Sequence, residues 1–93
     1  MTEGLHQLLL YEYVSDIVER REPHREGHLA NARKWKDDGR LVMGGALGEP
    51  PHGAAFVFRV EDPSAVEEFV AADPYVDAGL VTTWRVVAWK VVV

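Results

Sequence analysis

The chain has 93 residues, with fifteen acidic against ten basic side chains and a formal net charge of −5. That is enough for one domain, residues 1–93, and not for two. Its acidic balance and scattered Lys and Arg offer no basic face, which argues against a nucleic-acid partner. The lack of cysteine excludes disulfides and thiolate chemistry, and 47% hydrophobic residues exclude a disordered chain.

Met1–His6 lacks the charged and apolar regions of a secretory signal. No apolar run approaches the roughly 18–20 residues of a membrane span. A cytoplasmic location without a membrane partner is therefore expected. Leu8 to Val14, apolar and partly β-branched or aromatic, reads as the first strand. Ser15-Asp16 ends it, and Ile17 to Glu22 reads as a loose helical turn or a loop. Pro23 suits the first turn of a helix, where its missing N–H costs nothing. That helix is expected to run to about Asp38, with Gly39 as its left-handed cap. Arg25, His28, Leu29, Ala32 and Trp35 follow the spacing of one helical face. Gly27 costs about 1 kcal/mol relative to Ala inside a helix, so it marks a close approach by another backbone or a ligand.

Leu41-Val42-Met43 starts a second strand, which Gly44-Gly45 is expected to bulge or bend. Ala54 to Val60 is a third strand, with Phe56, Phe58 and Val60 on one face. Asp62-Pro63 signals a helix start. Val66, Phe69, Val70 and Asp73 share a face of that second helix, which Pro74 ends. An acid at a helix C-terminus opposes the macrodipole, a mild local misfit of the kind that marks functional sites. Leu80 to Val93 is a last strand with Trp84, Val86 and Ala88 on one face and Val87, Trp89 and Val91 on the other. Trp35, Trp84 and Trp89 read as core residues.

Strand, helix, strand, strand, helix, strand is the α+β, ferredoxin-like βαββαβ arrangement with a four-stranded antiparallel sheet. Two helices cover one sheet face only. Burying the other calls for a second sheet, most simply from another copy in a homodimer.

The pattern resembles the YciI-like (YCII-related) family of the dimeric α+β barrel group. The matching residues are Arg25-x-x-His28-Leu29, Asp38-Gly39-Arg40-Leu41 leading into Gly44-Gly45, Asp73-Pro74-Tyr75, Ala78-Gly79-Leu80 and Trp89. The resemblance implies that His28 and Asp73 stand where that family has its proposed active site. A dehydrochlorinase acting on a hydroxylated aromatic ring is known among relatives. Two features depart from the pattern: the additional histidine in Glu22-Pro23-His24, and a short connection from Leu47 to Gly53.

A carboxylate accepting Nδ1–H of His28 would fix its tautomer and leave Nε2 to take or give a proton. Arg25, one turn earlier, is placed to steady an anionic oxygen. Tyr75 offers a hydroxyl or a ring wall. With no Cys, and serines only at Ser15 and Ser64, proton transfer fits better than a covalent intermediate. The catalytic candidates are thus His28 and Asp73, and the substrate-binding candidates Arg25, Tyr75, His24 and Gly45. The expected activity is a lyase, dehydrochlorinase or isomerase reaction on a small cyclic or aromatic acid. A non-catalytic ligand-binding or regulatory module is the alternative, and a structural dimer braced by the pair is a third reading. His24 and His28 are spaced to share a metal, with His6 and His52 as further candidates if the fold gathers them. Without a clear third ligand no metal is expected, and no haem or other cofactor.

Overall fold

A computed structural model describes residues 4–93, so Met1–Glu3, part of the stretch read for a secretory signal, lie outside the described residues. The elements in order are β1 (Gly4–Tyr13), α1 (Ile17–Arg20), a 3-10 turn (Glu22–His24), α2 (Arg25–Asp37), β2 (Leu41–Leu47), β3 (Gly53–Phe58), α3 (Pro63–Ala71), α4 (Pro74–Asp77) and β4 (Val81–Val91). The four strands form one antiparallel sheet in the order β2-β3-β1-β4. This is the expected ferredoxin-like α+β arrangement, with the short helices α1 and α4 added.

Two adjacent rows across the sheet show where the core lies. Gly44, Phe56, Leu9 and Val86 stand side by side on the four strands, and Phe56 and Leu9 are buried under the helices. In the next row Met43, Val57, Leu8 and Val87 point the other way, and Met43 is 63% exposed. Strand alternation alone produces this division, because successive side chains leave opposite faces of the pleat. The helices contribute Trp35, Val66, Phe69 and Val70 to the core. Three rings, Phe56, Phe58 and Phe69, meet with centroids 5.1–5.2 Å apart along the contacts to Phe69, a range favourable for tilted aromatic pairs.

Several local expectations change. Pro23 sits in the 3-10 turn, so α2 proper begins at Arg25. The register shift in β2 falls between Leu41 and Met43 rather than at Gly44-Gly45. Gly44 instead lets the Phe56 ring lie on the backbone: a Cβ there would come within 2.6 Å of Phe56 Cδ2. Of the three tryptophans read as core, only Trp35 is buried; Trp84 and Trp89 are 41% and 44% exposed. Both belong to β4, an edge strand, where period-two alternation names a face without saying whether anything covers it. No helix among the described residues is long and apolar enough to cross a membrane.

Candidate active site

Asp73 does not end the second helix. That helix, α3, stops at Ala71, and Asp73 is extended (φ −82°, ψ 117°) and caps the next one, α4. Its Oδ1 accepts the Tyr75 backbone N–H at 3.0 Å, the favourable arrangement for an acid at a helix start. The misfit expected at a C-terminus is therefore absent. Pro74 causes the difference, since it disfavours helical geometry in the residue before it and suits the first helical position itself.

The two distant motifs do meet. His28 Nδ1 lies 2.8 Å from Asp73 Oδ1, across 45 positions of sequence. From the opposite side the Tyr11 hydroxyl donates to Asp73 Oδ2 at 2.7 Å. The carboxylate thus accepts three hydrogen bonds and is 1% exposed; His28 is 7% exposed. Burial, followed by the charge and hydrogen bond of Asp73, pushes the Tyr11 hydroxyl far above its ordinary pKa, so it stays a donor. The Tyr75 ring stacks on the imidazole, 3.8 Å between centroids and 3° from parallel, while Phe56 meets it edge-on at 6.1 Å. With Nδ1 engaged and the ring clamped, Nε2 is the nitrogen available for chemistry.

Gly27 explains how the two helices approach so closely. A Cβ at that position would stand 3.0 Å from Pro74 Cγ, so the close approach read from the sequence is to the proline ring beside Asp73.

A cavity of about 480 Å³ opens between α2 and the β2–β3 edge and reaches His28. Arg25, Tyr75 and Gly45 line it, as do Leu29, Leu41 and Phe56. Asp73 lies behind His28 and not on the cavity wall, and His24 lies in the 3-10 turn away from it. Among the described residues the buried Tyr75 hydroxyl has no hydrogen-bond partner. Burial raises its pKa, while Arg25 and Arg21 pull it back down. Among the described residues, no three of His, Cys, Asp and Glu come together as metal ligands.

Sequence reasoning missed Tyr11, Arg21, Arg33 and Lys36. Tyr11 shares the Leu9 face of its strand, the face that carries the core, so its parity was a usable signal. Arg33 and Lys36 continue the Arg25, Leu29, Ala32 stripe along the same helix, at spacings of three and four. Arg21 left no periodic signal, because it stands in the irregular link between α1 and the 3-10 turn.

Comparison with known proteins adds three findings. The model of the YCII-related domain matches residues 6–90. No curated protein matches the chain. Among solved structures, 5-chloro-2-hydroxyhydroquinone dehydrochlorinase (TftG) from Burkholderia phenoliruptrix AC1100, in complex with 2,5-dihydroxybenzoquinone, is similar with a TM-score of 0.77 and 22% identity; the match covers 91% of this chain and 93% of that one. Protein Atu4242 from Agrobacterium tumefaciens is similar with a TM-score of 0.58 and 13% identity over 94% and 92% of the two chains. At3g17210 from Arabidopsis thaliana is similar with a TM-score of 0.54 and 16% identity over 97% of each chain. At these identities the likeness is one of fold.

Proposed function

The chain belongs to the YCII-related domain family, and from that premise we propose that it is a cofactor-independent enzyme moving a proton on a small cyclic or aromatic acid. The observation that carries this reading is the His28–Asp73 contact of 2.8 Å at the wall of a cavity lined by Arg25 and Tyr75. A volume of about 480 Å³ suits a substituted single ring.

In this mechanism Nε2 of His28 takes a proton from a carbon or hydroxyl of the bound ring. The electron pair moves onto a conjugated oxygen, which Arg25 steadies. For an isomerisation, the imidazolium then returns the proton to another ring carbon. For a dehydrochlorination, the electron pair instead expels chloride, and the proton passes to water. Asp73 touches neither cavity nor substrate; it is a positioning residue that holds the tautomer and orientation of His28. The dehydrochlorinase activity in the name of TftG is one member of this reaction class, and a hydroxylated ring is the substrate type to try first.

The test is a turnover screen of hydroxylated aromatic acids and lactones. Removing one general acid–base typically costs about 10²–10⁴-fold, so His28→Gln should lose at least a hundredfold in kcat on any substrate found. A variant that keeps the full rate would remove His28 from the chemistry. Ligands that bind but are never converted would point to the regulatory alternative.

We also propose that the chain is a homodimer joined through its open sheet face, where Met43, Leu47, Val87 and Trp89 are exposed. Contiguous apolar surface of this kind is rarely left to water. Light scattering at micromolar concentration should return twice the chain mass, and a stable monomer would refute it.

A further inference from the structure

The cavity holds more positive charge than one acidic group needs. Arg21, Arg25, Arg33 and Lys36 all line it, and no Asp or Glu does, in a chain whose formal charge is −5. Lys36 is engaged, its Nζ donating to the Val42 carbonyl at 3.0 Å. Arg21, Arg25 and Arg33 form no ion pair with a carboxylate among the described residues.

These charges stand at two separate places. Arg21 and Arg25 line the cavity together with Tyr13, Tyr75 and His28, at the His28 end. Arg33 follows Arg25 by eight residues on the unbroken helix α2, which places its backbone about 12 Å further along the axis. Between the two ends the cavity wall is apolar: Leu29 and Ala32 on the helix, Leu41 and Phe56 on the sheet. Across such a span solvent largely screens an exposed charge, since the Debye length is about 8 Å at physiological salt. One carboxylate in contact with the guanidinium at one end leaves the other end open to a second anion.

We propose that the cavity takes a flat ring bearing two anionic groups on opposite sides, one held by Arg25 and the other by Arg33. This rests on reading the cavity as the substrate site. It narrows the substrate class from an acid to a diacid, or to an acid with an ionised hydroxyl across the ring. Arg33 is the residue that selects for the second charge, through a forked contact that a guanidinium makes with a carboxylate.

The experiment compares two probes of nearly equal size and shape, 1,4-phenylenediacetate and its monomethyl ester, titrated into the intact protein by calorimetry. The diacid should bind at least about tenfold more tightly, the scale of one added charge-assisted contact. Arg33→Gln should erase that preference by bringing the diacid down to the affinity of the half ester, and Arg33→Lys should restore part of it. Equal affinity for the two probes, a preference that survives Arg33→Gln, or no binding of either at millimolar concentration would overturn the inference. His28→Gln keeps the two readings apart: it should cut turnover at least about a hundredfold and leave the diacid preference intact. A preference for diacids with no conversion of any of them would sink the acid–base reading and keep this one.

Discussion

Asp73 meets His28 at 2.8 Å and Asp38 meets Arg40 at 2.7 Å, yet the two pairs differ in almost everything but length. Asp38 and Arg40 are two residues apart and exposed, and they find each other within a single turn. The Arg40 guanidinium holds the Asp38 carboxyl below its ordinary range, but water solvates either partner well if the other is lost. Asp73 and His28 come from distant parts of the chain and are almost wholly buried. Removing His28 leaves a buried carboxylate one partner short, and removing Asp73 strands the His28 Nδ1, the Tyr11 hydroxyl and the Tyr75 N–H together. Contact distance says little about what a pair is worth; burial and the partners left behind decide it.

The largest effect should come from breaking the buried pair. Asp73→Ala is expected to destabilise the fold by about 3 kcal/mol or more, which for a chain of this size lowers Tm by more than about 10 °C. Thermal unfolding followed by circular dichroism measures this. A shift of a degree or less would put the two pairs on the same footing.

Gly27→Val comes next, because it attacks the helix approach rather than the pair. Its side chain must displace the Pro74 ring, for which a Cβ alone already stands at 3.0 Å. A loss of about 1–3 kcal/mol is expected, typical of overpacking, and urea unfolding would show it. If stability is unchanged, the glycine is not what permits the contact.

Tyr11→Phe removes one of the three donors to Asp73, for about 1–1.5 kcal/mol at neutral pH. It also carries a pH signature. Burial and Asp73 hold the Tyr11 proton on in the folded state well above its ordinary pKa, whereas the unfolded chain releases it near pH 10. The unfolded state therefore binds fewer protons above that point. Stability is fully present below about pH 10 and falls as pH rises beyond it. Urea midpoints from pH 8 to 11.5 should fall less steeply in Tyr11→Phe. Some slope should remain, since the hydroxyls of Tyr13 and Tyr75 are also raised by burial. Identical slopes would show that the fold does not hold the Tyr11 proton above its ordinary range.

Asp38→Asn should be the smallest change, leaving Tm within experimental error of the parent. A drop of several degrees would mean that the exposed pair does more than its exposure suggests.

Much of the site was legible because its residues break or obey local rules. His28 beside an apolar stripe, the acid before Pro74 and the glycine inside a helix all drew notice from sequence. From sequence Asp73 reads as a misfit at the end of one helix, whereas it is the cap of the next. The short helix α4 spans four residues, too few for hydrophobic periodicity to register. Tyr11 went unremarked because an aromatic in a strand looks like any core residue until its hydroxyl has a partner. Trp84 and Trp89 were assigned to the core by periodicity, which gives the face of a strand but not what lies over it.

By itself the chain determined the order of strands and helices, the parity of each strand and the two motifs worth pairing. Those follow from hydrophobic spacing, from proline and from glycine, which act over a few residues. Only the tertiary structure decided that Asp73 stands behind His28, that Tyr11 closes the network and that Arg25 and Arg33 share one cavity. Those relations join residues from different elements of the fold, and they exist only after the helices have been packed onto the sheet. Local propensities cannot set the distance between side chains so far apart in sequence; close packing of a common core does.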